Sequence, residues 1–338
     1  MITISNEILN TILKDYEQKK TKAELDAINR KNKLYFNIPK LQQIEDDLNK
    51  FAIQTTKSII NGNKEKIKLL NDKINILKNE KLQILKSKGI DLGYLKPYYE
   101  CTRCNDTGYI TTENKTSEMC SCLKQKLLNI SFNNSNLSNL EKENFKKFNE
   151  LMYSDEVDIA KYKYNISPRK NILNIKEKSI EFINNFDNPD YKNLLFTGNS
   201  GLGKTFMTNC IAAEILKKGK TVLYQTAPVL LENVINYKMS KNKDNLFNFY
   251  NSVLESDLLI IDDLGTESQN SMKLSELFTI INTRLLNSNN KITKTIISTN
   301  LGIKEIFNFY EERIGSRIAG YYDIYYFFGD DIRFKLNK

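Results

Sequence analysis

The stretch Gly198-Asn199-Ser200-Gly201-Leu202-Gly203-Lys204-Thr205 decides how the rest of the chain is read. Glycine stands first and sixth, followed by lysine and threonine, which is the spacing of a phosphate-binding loop. The apolar run Asn193-Leu194-Leu195-Phe196-Thr197 leads in as a strand, and Phe206 to Lys218 continues as a helix. Backbone N–H groups curled at a helix N-terminus hold a polyphosphate, and the glycines permit that curl. Lys204 then neutralises the β- and γ-phosphates, while Thr205 offers its hydroxyl to Mg²⁺. A ligand-free glycine turn is the bland alternative, and it is weak because every fixed position matches between a strand and a helix.

From Tyr191 onward, strand-like and helix-like segments alternate, the pattern of an α/β parallel sheet flanked by helices. The expected strands are Leu194–Thr197, Val222–Gln225, Leu258–Asp262, Thr295–Ser298 and Ile324–Phe328. The third ends Leu258-Leu259-Ile260-Ile261-Asp262-Asp263, an apolar run delivering two carboxylates to the edge that carries the phosphate loop. Asp262 is the expected Mg²⁺ holder and Asp263 the expected orienter of the attacking water, with Glu267 a second candidate. Histidine is absent, so a hydrolytic base must be a carboxylate. Ser298-Thr299-Asn300 ends the fourth strand and places Asn300 where it can contact water and γ-phosphate. Arg313 and Arg317 share one helix face. Either one, near a subunit edge, can reach a neighbour's phosphate, although adjacent Glu311 and Glu312 also suit a solvated helix. Arg333 follows the last strand as a possible second nucleotide sensor, and Cys210 falls on an apolar helix face as a core thiol.

The chain has 338 residues, enough for two or three domains, and a net charge of +9 from 50 basic and 41 acidic residues. The excess admits a nucleic-acid partner, and lysine-rich solvated faces explain it as well. No transmembrane run or signal peptide is evident, so a cytoplasmic location is expected.

Before the α/β region, residues 1–95 read as helix. Ile67, Leu70, Ile74, Leu77 and Ile84 follow coiled-coil spacing with Lys81 breaking the seam, and Leu41, Ile44, Leu48 and Phe51 repeat the rhythm. Asn61-Gly62-Asn63 separates the two sets, so the expectation is a pair of antiparallel helices, or that hairpin packed on a third helix from Ile4 to Lys31. Such an arm is either a structural bundle or a partner-binding element. Cys101-Thr102-Arg103-Cys104 and Cys120-Ser121-Cys122 come next. In a reducing cytosol, paired cysteines across a short hairpin read as a tetrahedral zinc site, closed and structural rather than catalytic. Residues 123–165, including the run Ser131 to Asn136, read as a connector, and Ser167-Pro168-Arg169 starts a helix running to about Phe186. The expected division is thus a helical or coiled-coil arm at 1–95, a zinc segment at 96–128, and an ATPase domain at 129–338 with its core at 166–338.

With these residues in place, the chain resembles the AAA+ ATPases of the DnaC/DnaI helicase-loader group. The resemblance rests on Gly198–Thr205, on Ile261-Asp262-Asp263-Leu264-Gly265-Thr266-Glu267, on Ser298-Thr299-Asn300 and on the Arg313–Arg317 pair. Cys101-Thr102-Arg103-Cys104-Asn105-Asp106-Thr107-Gly108-Tyr109 is similar to the zinc-binding segment of firmicute-type loaders. The resemblance implies binding of ATP and single-stranded DNA, docking on the replicative hexameric helicase through the N-terminal region, and ATP-dependent self-assembly. It also implies that Arg317 is the arginine finger and Arg333 the sensor arginine. The chain ends at Lys338, five residues after Arg333, so the usual helical lid is not expected. Asp262 to Glu267 is shared with IstB-type transposition helper ATPases, which act on DNA and a transposase, and the zinc segment favours the loader. A third expectation is a nucleotide switch that works through its helical arm without hydrolysis.

Overall fold

The computed structural model describes residues 6–131, 140–239, 244–268, 270–287 and 291–336; most of the run Ser131 to Asn136 lies outside them. Two compact units divide between Glu118 and Met119, inside the cysteine segment.

The first unit contains α1 (Asn6–Asn37), α2 (Pro39–Ile60) and α3 (Lys64–Ser87), and the chain continues into a two-stranded sheet of β1 (Tyr109–Thr111) and β2 (Ser117–Met119). This is the hairpin with a third helix. The third helix runs past Lys31 to Asn37 because its last turn has apolar work: Leu34 and Tyr35 cluster with Leu41 and Leu85. Pro39 stands at the start of α2, where a missing N–H costs nothing. Gly62 takes φ +68° in the turn, and the Asn63 side chain caps α3 by accepting from the Lys66 N–H. Lys81, which interrupts the seam, is explained by charge. Its Nζ lies 2.6 Å from Glu45 Oε2 on α2, and Lys31 Nζ of α1 lies 2.6 Å from Glu45 Oε1. One carboxylate thus bridges the three helices.

The second unit begins with α4 (Ser121–Ser131), α5 (Ile159–Tyr162) and α6 (Pro168–Asn184), the last capped by the Ser167 hydroxyl. Where a plain connector was expected, α4 docks on the sheet: Gln125 Oε1 accepts from the Val222 N–H at 2.7 Å and its Nε2 donates to the Val222 carbonyl at 3.0 Å. The amide supplies the edge strand with the partners that a neighbouring strand would offer. The α/β core follows as β3 (Asn193–Thr197), α7 (Lys204–Lys217), β4 (Val222–Thr226), α8 (Ala227–Met239), α9 (Asp244–Glu255), β5 (Leu258–Leu264), α10 (Ser271–Asn287), β6 (Lys294–Thr299), α11 (Ile303–Tyr321), β7 (Tyr322–Tyr326) and α12 (Arg333–Leu336). The five strands are parallel in the order β4-β5-β6-β3-β7.

Alternate strand residues feed two cores, as a sheet covered on both faces requires. Leu195, Leu223, Leu259, Ile261 and Ile297 pack with residues of α8, α10 and α11. Leu194, Phe196, Val222, Tyr224, Ile260 and Ile296 pack with residues of α6 and α7. Cys210 is fully buried. The last strand starts two residues earlier than the expected Ile324, because Tyr322 is buried and pairs with Asn193 while Tyr326 pairs with Thr197. Helix α11 breaks at Tyr310 and Glu311, where Glu311 takes φ +65°.

The three-helix bridge has a pH signature. Burial opposes ionisation of Glu45, but the hydrogen bonds from Lys31 and Lys81 outweigh it and hold the carboxyl at about 2. Its folded pKa lies below its ordinary value, so the bridge stabilises fully above about pH 4.5 and weakens as pH falls toward 2. Glu45→Gln is therefore expected to cost about 1–3 kcal/mol at pH 7. Urea melts followed by circular dichroism at pH 7 and pH 3 check this, with the gap from the parent narrowing at pH 3.

Candidate active site

Sheet register assembles the carboxyl edge. Thr197 pairs with Thr299, so the loop leaving β3 starts beside the residue leaving β6. The loop takes φ of +140° at Gly198, +76° at Gly201 and +89° at Gly203, all positive. Space is short as well. A Cβ on Gly201 would lie 2.1 Å from the Asp331 carboxylate, and one on Gly203 would lie 2.4 Å from the Tyr153 hydroxyl. Lys204 is buried, and its Nζ donates to the Gly198 and Asn199 carbonyls and, at 2.8 Å, to Asn300 Oδ1. Asn300 Nδ2 in turn donates to Ser200 Oγ at 3.3 Å. Burial lowers the Lys204 pKa, while the carboxylates of Asp263 and Asp262 work the other way. Lys204, Ser200 and Asn300 thus form one cluster on the phosphate loop.

The two acids at the end of β5 are separated by a bulge. Ile261 pairs with Ile297 but Leu264 pairs with Thr299, so one extra residue is accommodated on β5. Asp263 takes it up at φ +53° and is exposed, while Asp262 stays buried. Thr205 Oγ1 donates to Asp262 Oδ2 at 3.2 Å. A hydroxyl and a carboxylate side by side are hard oxygen donors, the set that suits Mg²⁺. Burial and neighbouring Asp262 raise the Asp263 pKa, with Lys204 opposing. Glu267, the other candidate for water, is buried and engaged: its Oε2 accepts from the Gly265 N–H at 3.0 Å and its Oε1 from the Tyr310 hydroxyl. It braces the turn after β5.

The arginines part company. Arg333 forks onto Asp331, with Nε 2.9 Å from Oδ1, and the Ile332 N–H donates to the Gly201 carbonyl at 2.9 Å, so this segment lies on the phosphate loop. Arg317 lies elsewhere. Helix α11 starts at the carboxyl edge and returns to start β7, so Arg317 reaches the amino edge; its Nε donates to Asn282 Oδ1 at 3.1 Å beside a cleft that Asn193 and Lys294 also line. It is thus at the opposite end of the sheet from Lys204 in its own chain. Arg313 is exposed and borders a separate small cleft with Glu311 and Phe278.

The cysteine sulfurs of Cys101, Cys104, Cys120 and Cys122 lie within 4.8 Å of one another. Four thiol donors at that spacing suit a closed tetrahedral zinc site. Asp106 belongs to this segment's architecture, in a role that spacing alone does not reveal. It is buried, and its carboxylate accepts the N–H groups of Cys101 at 2.8 Å and Glu100 at 2.9 Å.

The loop's geometry makes a sharp demand on Gly201. A Cβ in a left-handed conformation costs about 1–2 kcal/mol before any collision with Asp331 is counted. Gly201→Ala is therefore expected to raise the Kd for ATP by roughly ten-fold or more while circular dichroism stays that of the parent.

A family model described as IstB-like ATP binding protein matches residues 126–313. Among curated proteins, the chromosomal replication initiator protein DnaA of Buchnera aphidicola subsp. Cinara cedri is 32% identical over 155 residues, covering 45% of this chain and 34% of that protein. The replicative helicase loader DnaC of Escherichia coli K12 is 26% identical over 153 residues, covering 43% of this chain and 57% of that one. The chain spans about a third or less of the first of these relatives, the DnaA proteins. A crystal structure of the DnaC helicase loader superposes with a TM-score of 0.44 at 21% identity, covering 56% of this chain and 99% of that one. Among the described residues no helix is long and apolar enough to cross a membrane. The family match takes in more than half of the chain, from α4 through the phosphate loop, Asp262 and Asn300, and the chain belongs to the family of IstB-like ATP binding proteins.

Proposed function

We propose that this protein is a Mg²⁺-dependent AAA+ ATPase of DNA replication that helps place the replicative hexameric helicase on single-stranded DNA. The observation that carries the ATPase reading is the cluster at the carboxyl edge, where Lys204 bridges the phosphate loop to Asn300 beside Asp262 and Asp263. In this reading the loop amides and Lys204 take the phosphates, and Thr205 and Asp262 hold the cation. Asp263 orients and polarises the attacking water from its exposed bulge, and Asn300 links that water to the γ-phosphate. Arg333 is a sensor that trades Asp331 for phosphate. Bound Mg²⁺ supplies charge neutralisation at the phosphates.

Arg317 at the amino edge supports ATP-dependent self-assembly, because a neighbouring copy can carry it to a loop that it does not reach in its own chain. Turnover is then slow until copies assemble. The loader role is supported by likeness to the DnaC loader of E. coli and by the helical arm, proposed as the helicase-docking element, with the cysteine cluster as its zinc-stapled base. These assignments place the protein in the cytoplasm. A second reading, compatible with the IstB-like family match, is a transposition helper acting on duplex DNA and a transposase.

Mixing variants tests the shared site. Asp263→Asn is expected to bind ATP within a few-fold of the parent and to hydrolyse it about 100-fold more slowly. Arg317→Ala should show a comparable loss of turnover with ATP binding intact. Mixed, the two should recover part of the parent rate, since some interfaces then pair an intact loop with an intact arginine; no recovery overturns the shared site.

The loader reading is tested by pull-down of the cognate replicative helicase with full-length protein, and no capture with or without ATP overturns it. ATP-dependent filaments on duplex DNA would instead support the helper reading. Elemental analysis should find one zinc per chain, lost in Cys104→Ser.

A further inference from the structure

The Asp262 carboxylate is surrounded by donors. Its Oδ1 accepts from the Ser298 hydroxyl and, at 3.2 Å, from the Asp263 N–H. Its Oδ2 accepts from the Tyr224 hydroxyl at 2.5 Å and from Thr205 Oγ1 at 3.2 Å. An ionised carboxylate offers about four acceptor positions, so this set fills them. Three of the donors belong to the sheet: Ser298 to β6, the Asp263 amide to β5 and Tyr224 to β4. Only Thr205 stands outside it, exposed on the first turn of α7. The position that Thr205 occupies is the one that can be released without disturbing the sheet.

Tyr224 has no such freedom. It is 2% exposed and packs in the core with Phe196, Met207, Ile211 and Ile260. Burial and the adjacent Asp262 raise its pKa, so the phenol stays neutral and keeps donating.

We propose that Tyr224 is a positioning residue of the ATP site, whose hydroxyl fixes Asp262 so that a single acceptor position, on Oδ2 and facing Thr205, is left for a divalent cation or its water. This rests on the ATP-site reading above. Tyr224 touches neither nucleotide nor cation in this scheme and acts through Asp262. Without its hydroxyl, Oδ2 has two open positions and the carboxylate can turn away, so the cation is held less well while the loop amides and Lys204 still hold the phosphates.

The test is Tyr224→Phe, which keeps the buried ring. Binding of a fluorescent ATP analogue is titrated with Mg²⁺, and separately measured in EDTA, so the readout does not require hydrolysis. Outer-sphere partners of metal ligands are typically worth 10–100-fold in metal affinity. The Mg²⁺ concentration for half-maximal enhancement of binding is expected to rise by about ten-fold, with affinity in EDTA and the thermal midpoint close to the parent. In an Asp262→Asn background, Tyr224→Phe should produce no further shift. An unchanged Mg²⁺ requirement overturns the proposal, as does an equal loss of affinity in EDTA, which would show a merely structural role. A parent protein whose binding of the analogue ignores Mg²⁺ likewise overturns the proposal, whereas one that does not bind the analogue at all refutes the ATP-site reading itself.

Discussion

The pairing of β3 with β6 is the constraint on which the candidate site depends. The register Leu194 to Ile296 and Thr197 to Thr299 makes the residues that leave these strands neighbours, so Lys204 and Asn300 meet. Parallel strands one step apart in the sheet but far apart in sequence must close long loops, and the apolar alternation on both faces supplies the stabilisation that offsets that entropy. With β5 placed on the other side of β6, Asp262 and Asp263 arrive at the same edge. A slip of one residue would turn each strand's side chains to the opposite face and separate the cluster.

The bulge on β5 gives two adjacent aspartates different environments. Asp262 is buried among hydroxyl donors, while Asp263 is pushed outward at a positive φ. One acid is thereby suited to holding a cation and the other to meeting water. The same edge explains why Glu267 is not interchangeable with Asp263: its carboxylate is committed to Gly265 and Tyr310. The helical unit shows the converse use of charge. Glu45 is held between two ammonium groups, so a break in an apolar seam serves as a clasp.

Much of this protein was legible in the sequence because local patterns carry their own physics. Glycine, lysine and threonine at fixed spacing before a helix specify a phosphate cradle. An apolar run ending in two acids specifies a buried strand reaching the carboxyl edge. Alternating three- and four-residue steps specify helices with an apolar seam. The parallel α/β class and the resemblance to AAA+ loaders and IstB-type proteins follow from those patterns, and the structure and the family match agree with them.

What only the tertiary structure decided are the contacts between residues distant in sequence, since local periodicity records which face a residue occupies but not what it meets there. Tyr224 reads as one more apolar strand position until β4 lies beside β5 and brings its hydroxyl to Asp262. Gln125 reads as part of a polar connector until its amide completes the free edge of β4. Lys81 reads as a flaw in a seam until Glu45 stands opposite. Arg317 reads as a candidate finger for a neighbour's phosphate, and only the return of α11 to the amino edge shows how far it lies from the loop of its own chain. Spacing in sequence specifies the phosphate loop itself; the fold specifies which side chains surround it, because parallel pairing joins strands that the chain order keeps apart.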